Sequence, residues 1–139
     1  MEIILVRHTS VDVPIGTCYG HTDVPVKDTF EQEAAQTKRQ LEAYPPFDHV
    51  YCSPLTRCVK LATYCGYLNV PATNGESFMQ LYQRVAQFLD ELKQKDFAKV
   101  AVFAHGGVLL CAQIYVGDIK MDAAFEALTP YGGVVKINL

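Results

Sequence analysis

The sequence predicts an α/β fold, a three-layer α/β/α sandwich built on a mostly parallel central sheet. Three observations lead there. Short apolar runs rich in β-branched residues alternate with longer stretches of helical periodicity. The strand-like runs are continuously apolar, as strands covered on both faces should be. The 139 residues, half of them apolar, suit one domain (1–139) able to bury a real core.

The elements follow in order. "EIILV", Glu2 to Val6, reads as the first strand. "DTFEQEAAQTKRQLEAY" reads as a helix, with Phe30, Ala34, Leu41 and Tyr44 near helical spacing and charges between them. "HVYCS", His49 to Ser53, is a second strand. In "SPLTRCVKLATYCG", Ser53 is placed to cap a helix, Pro54 suits its first position and Gly66 can stop it. Leu55, Cys58, Val59, Ala62 and Cys65 would form the buried stripe of that helix. "GESFMQLYQRVAQFLDELKQK" carries the strongest helical pattern, with Phe78, Leu81, Tyr82, Val85, Phe88, Leu89 and Leu92 recurring at threes and fours. "KVAVFAHGG" is a third strand, "VLLCAQIYVG" an apolar helix, and "GGVVKINL" a closing strand.

Bulk properties narrow the function. A formal net charge of -3 gives no overall field to attract nucleic acid or an anionic membrane, so a bound anion needs a local cluster of positive groups. No apolar run approaches the roughly 18 residues of a membrane span. The sequence begins in a strand-like run with no signal-peptide character, and a cytoplasmic location is expected. The five cysteines, Cys18, Cys52, Cys58, Cys65 and Cys111, lack the paired spacing of a zinc site or a redox CxxC motif and read as small core residues. Neither a metal nor another cofactor is expected.

In open α/β sheets ligands bind beyond the carboxyl ends of the strands. The first strand ends in Arg7-His8, the second leads into Ser53-Pro54 with Arg57 one helical turn later, and the third ends in His105-Gly106-Gly107. Alone, each residue has a plainer role: a strand-end histidine, a solvated helix arginine, a strand-to-helix turn. Together they suit phosphate binding and transfer. Guanidinium groups fork onto phosphate oxygens and neutralise a phosphomonoester dianion. Neutral imidazole can attack phosphorus, and glycines before a helix N-terminus let backbone N–H groups approach the anion. His21, in a loop, and His49, at a strand start, read as structural. Cysteine-dependent phosphate chemistry is a poor match: four residues separate Cys52 from Arg57 where five are needed, and no GxxxxGK[ST] loop is present.

"LVRHTS", "YGHTDVPV", "YCSPLTRCVKLA", "NGES" and "VAVFAHGGV" together resemble the histidine phosphatase (phosphoglycerate mutase-like) superfamily, in the family's order and over most of the chain. The resemblance implies a phosphohistidine on His8, with Arg7, Arg57 and His105 completing the phosphate pocket and Gly106 beside it. "YGHTDVPV" and the small size are most similar to the branch that includes α-ribazole phosphatases, which implies a small phosphorylated metabolite as substrate, α-ribazole 5'-phosphate in cobalamin biosynthesis. A phosphoglycerate mutase-type phosphotransferase and a phosphate-binding pseudoenzyme are the alternatives.

Three departures from the family pattern stand out. Thr9 follows the Arg-His pair where many members have Gly or Ala, and Pro14 stands where many have an asparagine that contacts phosphate. The family also places a glutamate or aspartate general acid in a long segment between the "SPLTR" and "GES" helices. Between about 66 and 75 that segment is missing: "YLNVPATN", Tyr67 to Asn74, is short and has no acidic residue. Either the acid has been lost, or the natural chain carries a segment that this sequence omits, which the abrupt splice at "GYLNV" favours. Glu76 is the nearest substitute acid in the sequence; it also suits an ordinary charge at a helix start.

Overall fold

The computed structural model describes residues 1–67 and 78–139. The strands are β1 (Glu2–Arg7), β2 (His49–Cys52), β3 (Lys99–Ala104) and β4 (Val134–Asn138). The helices are α1 (Phe30–Leu41), α2 (Thr56–Tyr64), α3 (Phe78–Leu92) and α4 (Gly106–Val116), followed by a 3-10 segment at Met121–Ala127. The sheet order is β2-β3-β1-β4, with β1, β2 and β3 parallel and β4 antiparallel to β1 at one edge. The expected three-layer, mostly parallel α/β architecture is what the chain adopts.

Alternation along β1 divides the core. Ile3 and Leu5 enter a cluster with Val85, Leu89 and Leu92 of α3 and Leu109 and Ala112 of α4. Ile4 and Val6 enter another with Ala34 and Leu41 of α1 and Cys58, Leu61 and Ala62 of α2. All four β1 residues are at most 2% exposed, so the uninterrupted apolar run reflects helices on both faces. Each such side chain contributes about 1.5–3 kcal/mol by leaving water.

Helix α1 has Glu31 and Glu33 in its first turn and Lys38 and Arg39 in its last, complementing the helix dipole. Helix α2 differs from expectation at its start. It begins at Thr56 rather than Pro54, and Ser53 is not its cap; Leu55 holds the capping position without a side-chain bond. The Asp23 carboxylate instead accepts from Thr56 N at 2.7 Å and Thr56 Oγ1 at 2.6 Å, satisfying an N-terminal donor from a distant loop. The buried face is accordingly rotated. Arg57, Cys58, Leu61 and Ala62 are inside and Cys65 joins them, while Leu55 and Val59 of the expected stripe are only half-buried. The predicted stop holds: Gly66, just past the helix, has φ +91, a conformation that favours glycine.

This rotation has a measurable consequence. Leu61→Ala should cost about 2–5 kcal/mol in urea unfolding and Val59→Ala clearly less, because only Leu61 is fully enclosed. Equal losses would contradict the observed helix face.

Candidate active site

Register brings the polar residues together. Arg7 of β1 pairs with Ala104 of β3, so His8 and His105 leave adjacent strands at the same level. Their ring centroids lie 5.4 Å apart at an interplanar angle of 63°. Cys52 of β2 pairs with Phe103, which sets Ser53 at the same sheet edge. The Ser53 Oγ is 2.7 Å from His105 Nε2. Ser53, expected as a helix cap, is therefore the partner of His105. Arg57, on the first turn of α2, is only 2% exposed.

The two arginines are held by carbonyl oxygens, and the charge of Arg57 helps hold the Asp23 carboxyl below its usual range, after the Thr56 hydrogen bonds. Arg57 donates to the carbonyls of Thr22 and Gly20, both at 2.8 Å, and Arg7 donates to the Thr129 carbonyl at 2.7 Å. The ion pairs observed among the described residues join Lys93 to Asp90 and Glu2 to Lys99 and Lys136, leaving both arginines outside them. The Nε atoms of Arg7 and Arg57 are buried with no hydrogen-bond partner. A buried Arg57 and a half-buried Arg7, each with a spare donor and carbonyl neighbours, suit an anion with several oxygens. Gly106 makes room for this arrangement, since a Cβ there would come within 3.0 Å of Arg7 Cζ and Nε. His105 occupies the N-cap position of α4, so the positive helix end faces the same region.

Both histidines are held neutral. Burial, then the charges of Arg57 and Arg7, drive His8 down to about 4, against a hydrogen bond to Thr9 that favours protonation. Burial, then His8, Arg57, Arg7 and His21, drive His105 down to about 3. His8 Nδ1 lies 2.7 Å from the Thr9 carbonyl. A carbonyl only accepts, so Nδ1 carries the proton and Nε2 keeps its lone pair, as a nucleophile requires. Glu33 braces the loop beyond: Oε1 accepts from Ser10 N at 3.0 Å and Ser10 Oγ at 2.8 Å, and Oε2 from Thr29 Oγ1 at 2.7 Å. Cys52 is no competing nucleophile, because burial pushes its thiol up to about 12.

A cavity of about 490 Å³ opens beside His105 and Ser53, between β2, β3 and α3, with Tyr51, Leu81, Arg84 and Phe88 among its walls. His21, read from sequence as structural, lies on its rim. His49 stacks on Phe97 at 5.7 Å and 16°, in keeping with a structural role. Pro14 is exposed in a turn closed by Thr17 N to the Pro14 carbonyl, and Thr9 is fully buried with Oγ1 unpartnered. Glu76, the substitute acid, lies outside the described residues. Sequence reasoning missed Tyr19 and Tyr131, whose rings lie against Arg57 and Arg7. Their only signal was an aromatic residue beside glycine in each of two loops, "YGH" and "PYGG". Among the described residues, no group of three or more His, Cys, Asp or Glu is placed to hold a metal ion. No helix among them is long and apolar enough to cross a membrane.

The sequence profile of the histidine phosphatase superfamily (branch 1) matches residues 3–73 and 66–139. The fold is similar to that of the α-ribazole phosphatase of Shigella flexneri, at 20% identity and a TM-score of 0.81, covering 100% of this chain and 91% of that one. A mutant of phosphoserine phosphatase from Entamoeba histolytica, crystallised in complex with phosphoserine, is similar at 17% identity and a TM-score of 0.76, covering 97% and 89%. The mycobacterial glucosyl-3-phosphoglycerate phosphatase is similar at 15% identity and a TM-score of 0.76, covering 97% and 88%. A search of curated protein sequences returned no match.

Neutral buried histidines bear on stability. Between about 4 and the ordinary 6.5, His8 binds a proton in the unfolded chain but not in the folded one, and His105 behaves likewise down to about 3. Their unfavourable effect is absent above pH 6.5 and grows as pH falls through that window. The urea midpoint should therefore drop between about pH 7.5 and about pH 5, and His105→Gln should flatten the slope. A pH-independent midpoint in the wild type would rule out burial of both rings in neutral form.

Proposed function

Because the chain belongs to the histidine phosphatase superfamily, we propose that it hydrolyses phosphomonoesters through a phosphohistidine on His8. The observation that carries this reading is the pair of neutral imidazoles, 5.4 Å apart, beside two arginines that make no ion pair among the described residues. His8 Nε2 attacks phosphorus; the P–N bond forms as the P–O bond to the leaving alcohol breaks. Arg7 and Arg57 carry the charge on the phosphoryl oxygens, so the scheme requires no metal. His105, oriented by Ser53, stabilises the transferring group. Water then attacks the phosphohistidine, releasing inorganic phosphate and restoring neutral His8.

A proton must reach the leaving oxygen, a step worth about 10²–10⁴-fold. In this chain the connection Tyr67 to Asn74 has no acidic residue, so the donor in this scheme comes from a segment that this sequence omits, with Glu76 the substitute should nothing be omitted. That same composition favours a second reading, a protein that binds phosphate and turns it over slowly or not at all. For the substrate we take α-ribazole 5'-phosphate, supported by "YGHTDVPV" and by the likeness in fold to the Shigella enzyme. Cytoplasmic cobalamin-nucleotide assembly is the corresponding setting. A mutase is disfavoured by the short chain, which leaves little to shield a phosphohistidine from water.

In the test, ³²P-labelled substrate is mixed with enzyme and quenched. Acid-labile label should appear on the wild type, pass to water rather than to an added alcohol, and be absent from His8→Ala. Hydrolysis of an aryl phosphate should fall at least about a thousandfold in the same variant. Label passing to a second hydroxyl would mean a mutase, and equal inactivity of both proteins with phosphate still bound would mean a binding module. Within a panel of phosphomonoesters, α-ribazole 5'-phosphate should give the highest kcat/KM, ahead of phosphoserine and 3-phosphoglycerate.

A further inference from the structure

Two loops far apart in sequence meet over the arginines. In the loop at 14–23, Gly20 and Thr22 present their carbonyls to Arg57, and the guanidinium lies 4.9 Å from the centre of the Tyr19 ring. In the loop at 128–133, Thr129 presents its carbonyl to Arg7, whose guanidinium lies 4.0 Å from the centre of the Tyr131 ring. Each arginine is thus gripped in the same way, by carbonyl oxygen and the face of a tyrosine from one loop. The two loops are joined where the Tyr19 and Tyr131 hydroxyls approach to 3.3 Å.

Both loops are anchored at their bases. Asp23 ties the first to Thr56 at the start of α2. The second is sewn to the nucleophile strand: Arg7 N donates to the Gly133 carbonyl at 3.0 Å and Gly132 N to the His8 carbonyl at 2.9 Å. Thr37 of α1 donates to the Gly132 carbonyl at 2.8 Å, and a Cβ on Gly132 would come within 2.7 Å of that hydroxyl. Tyr131 also lies 5.5 Å, ring centre to ring centre, from His8. The tyrosines are therefore held by a scaffold that includes the candidate nucleophile itself.

Long arginine side chains carry large rotamer entropy, and two like charges at one site repel. A carboxylate would fix them but would also neutralise the charge needed for an anion. A tyrosine face attracts a guanidinium through its quadrupole and restrains it while leaving the net charge in place. We propose that Tyr19 and Tyr131 form a latch that sets the separation of the Arg7 and Arg57 guanidinium groups, making both tyrosines positioning residues for phosphate. The proposal rests on the reading of these arginines as the phosphate site.

The test measures inorganic phosphate binding by calorimetry, with KM and kcat on an aryl phosphate, in the wild type and in Tyr19→Phe, Tyr131→Phe, the double Phe variant and Tyr131→Leu. Each Phe variant keeps the ring and loses the link, so phosphate affinity should fall by about fivefold. The double variant should be no worse than either single one, because both remove one shared contact. Tyr131→Leu loses the ring as well and should weaken phosphate by about tenfold or more, with KM rising more than kcat falls and little change in thermal midpoint. Multiplying Phe effects, or unchanged phosphate affinity in all variants, would overturn the latch. Should Tyr131→Leu fold poorly, the Phe cycle decides alone. A wild type that binds phosphate without turnover overturns the hydrolase reading and leaves the latch to be judged by binding; one that binds no phosphate overturns both.

Discussion

The site depends on the parallel register of β1 and β3. Pairing Arg7 with Ala104 places His8 and His105 at one level, one residue beyond the last ladder positions. In a parallel ladder side chains alternate strictly, so a slip of β1 by one residue would send its side chains to the opposite layer. Such a slip would also exchange the two sets of β1 core residues, since Ile3 and Leu5 serve one helical layer and Ile4 and Val6 the other. The apolar packing that holds the sheet therefore also fixes the separation of the histidines. Stability and site geometry share one determinant.

Around that fixed pair, the chain gathers positive charge where side chains are largely buried. Carbonyl oxygens and tyrosine faces hold the arginines without cancelling their charge. The same field helps hold both imidazoles neutral, after burial has done most of it. These effects are coupled: the positive charge of Arg7 and Arg57 also disfavours proton uptake by the neighbouring histidines, which preserves a free lone pair on His8. By linkage, a folded state that keeps both rings neutral loses stability as pH falls below about 6.5.

Much of this is legible in the sequence because the signals are local and repeated. β1, β3 and α3 have unbroken or strictly periodic apolar patterns, and three strands end in polar residues of related chemistry. Ser53 departs from its expected role because a serine before proline fits a helix cap equally well, and only the third strand's position reveals His105 as its partner. Val59 and Leu61 exchange their expected environments for a related reason. The face of α2 is set by Asp23, 33 residues away, and by burial of Arg57, neither of which enters a periodicity argument. Tyr19 and Tyr131 leave almost no trace, since their contact spans 112 residues and their loops have no repeating pattern.

The division between readable and unreadable follows the division of the site itself. Arg7, His8, Arg57 and His105 sit at strand ends and helix starts, whose positions follow from the core. Beside them lies a cavity between β2, β3 and α3, walled by side chains such as Tyr51, Leu81, Arg84 and Phe88. Leu81, Arg84 and Phe88 lie on α3, outside the sheet, whereas Tyr51 belongs to the β2–β3 ladder. Proteins of closely similar fold are named as phosphatases of α-ribazole, phosphoserine and glucosyl-3-phosphoglycerate. The tyrosine pair lies on the arginine side of this boundary, because each ring meets an arginine and the loop behind Tyr131 is bonded to β1 and His8.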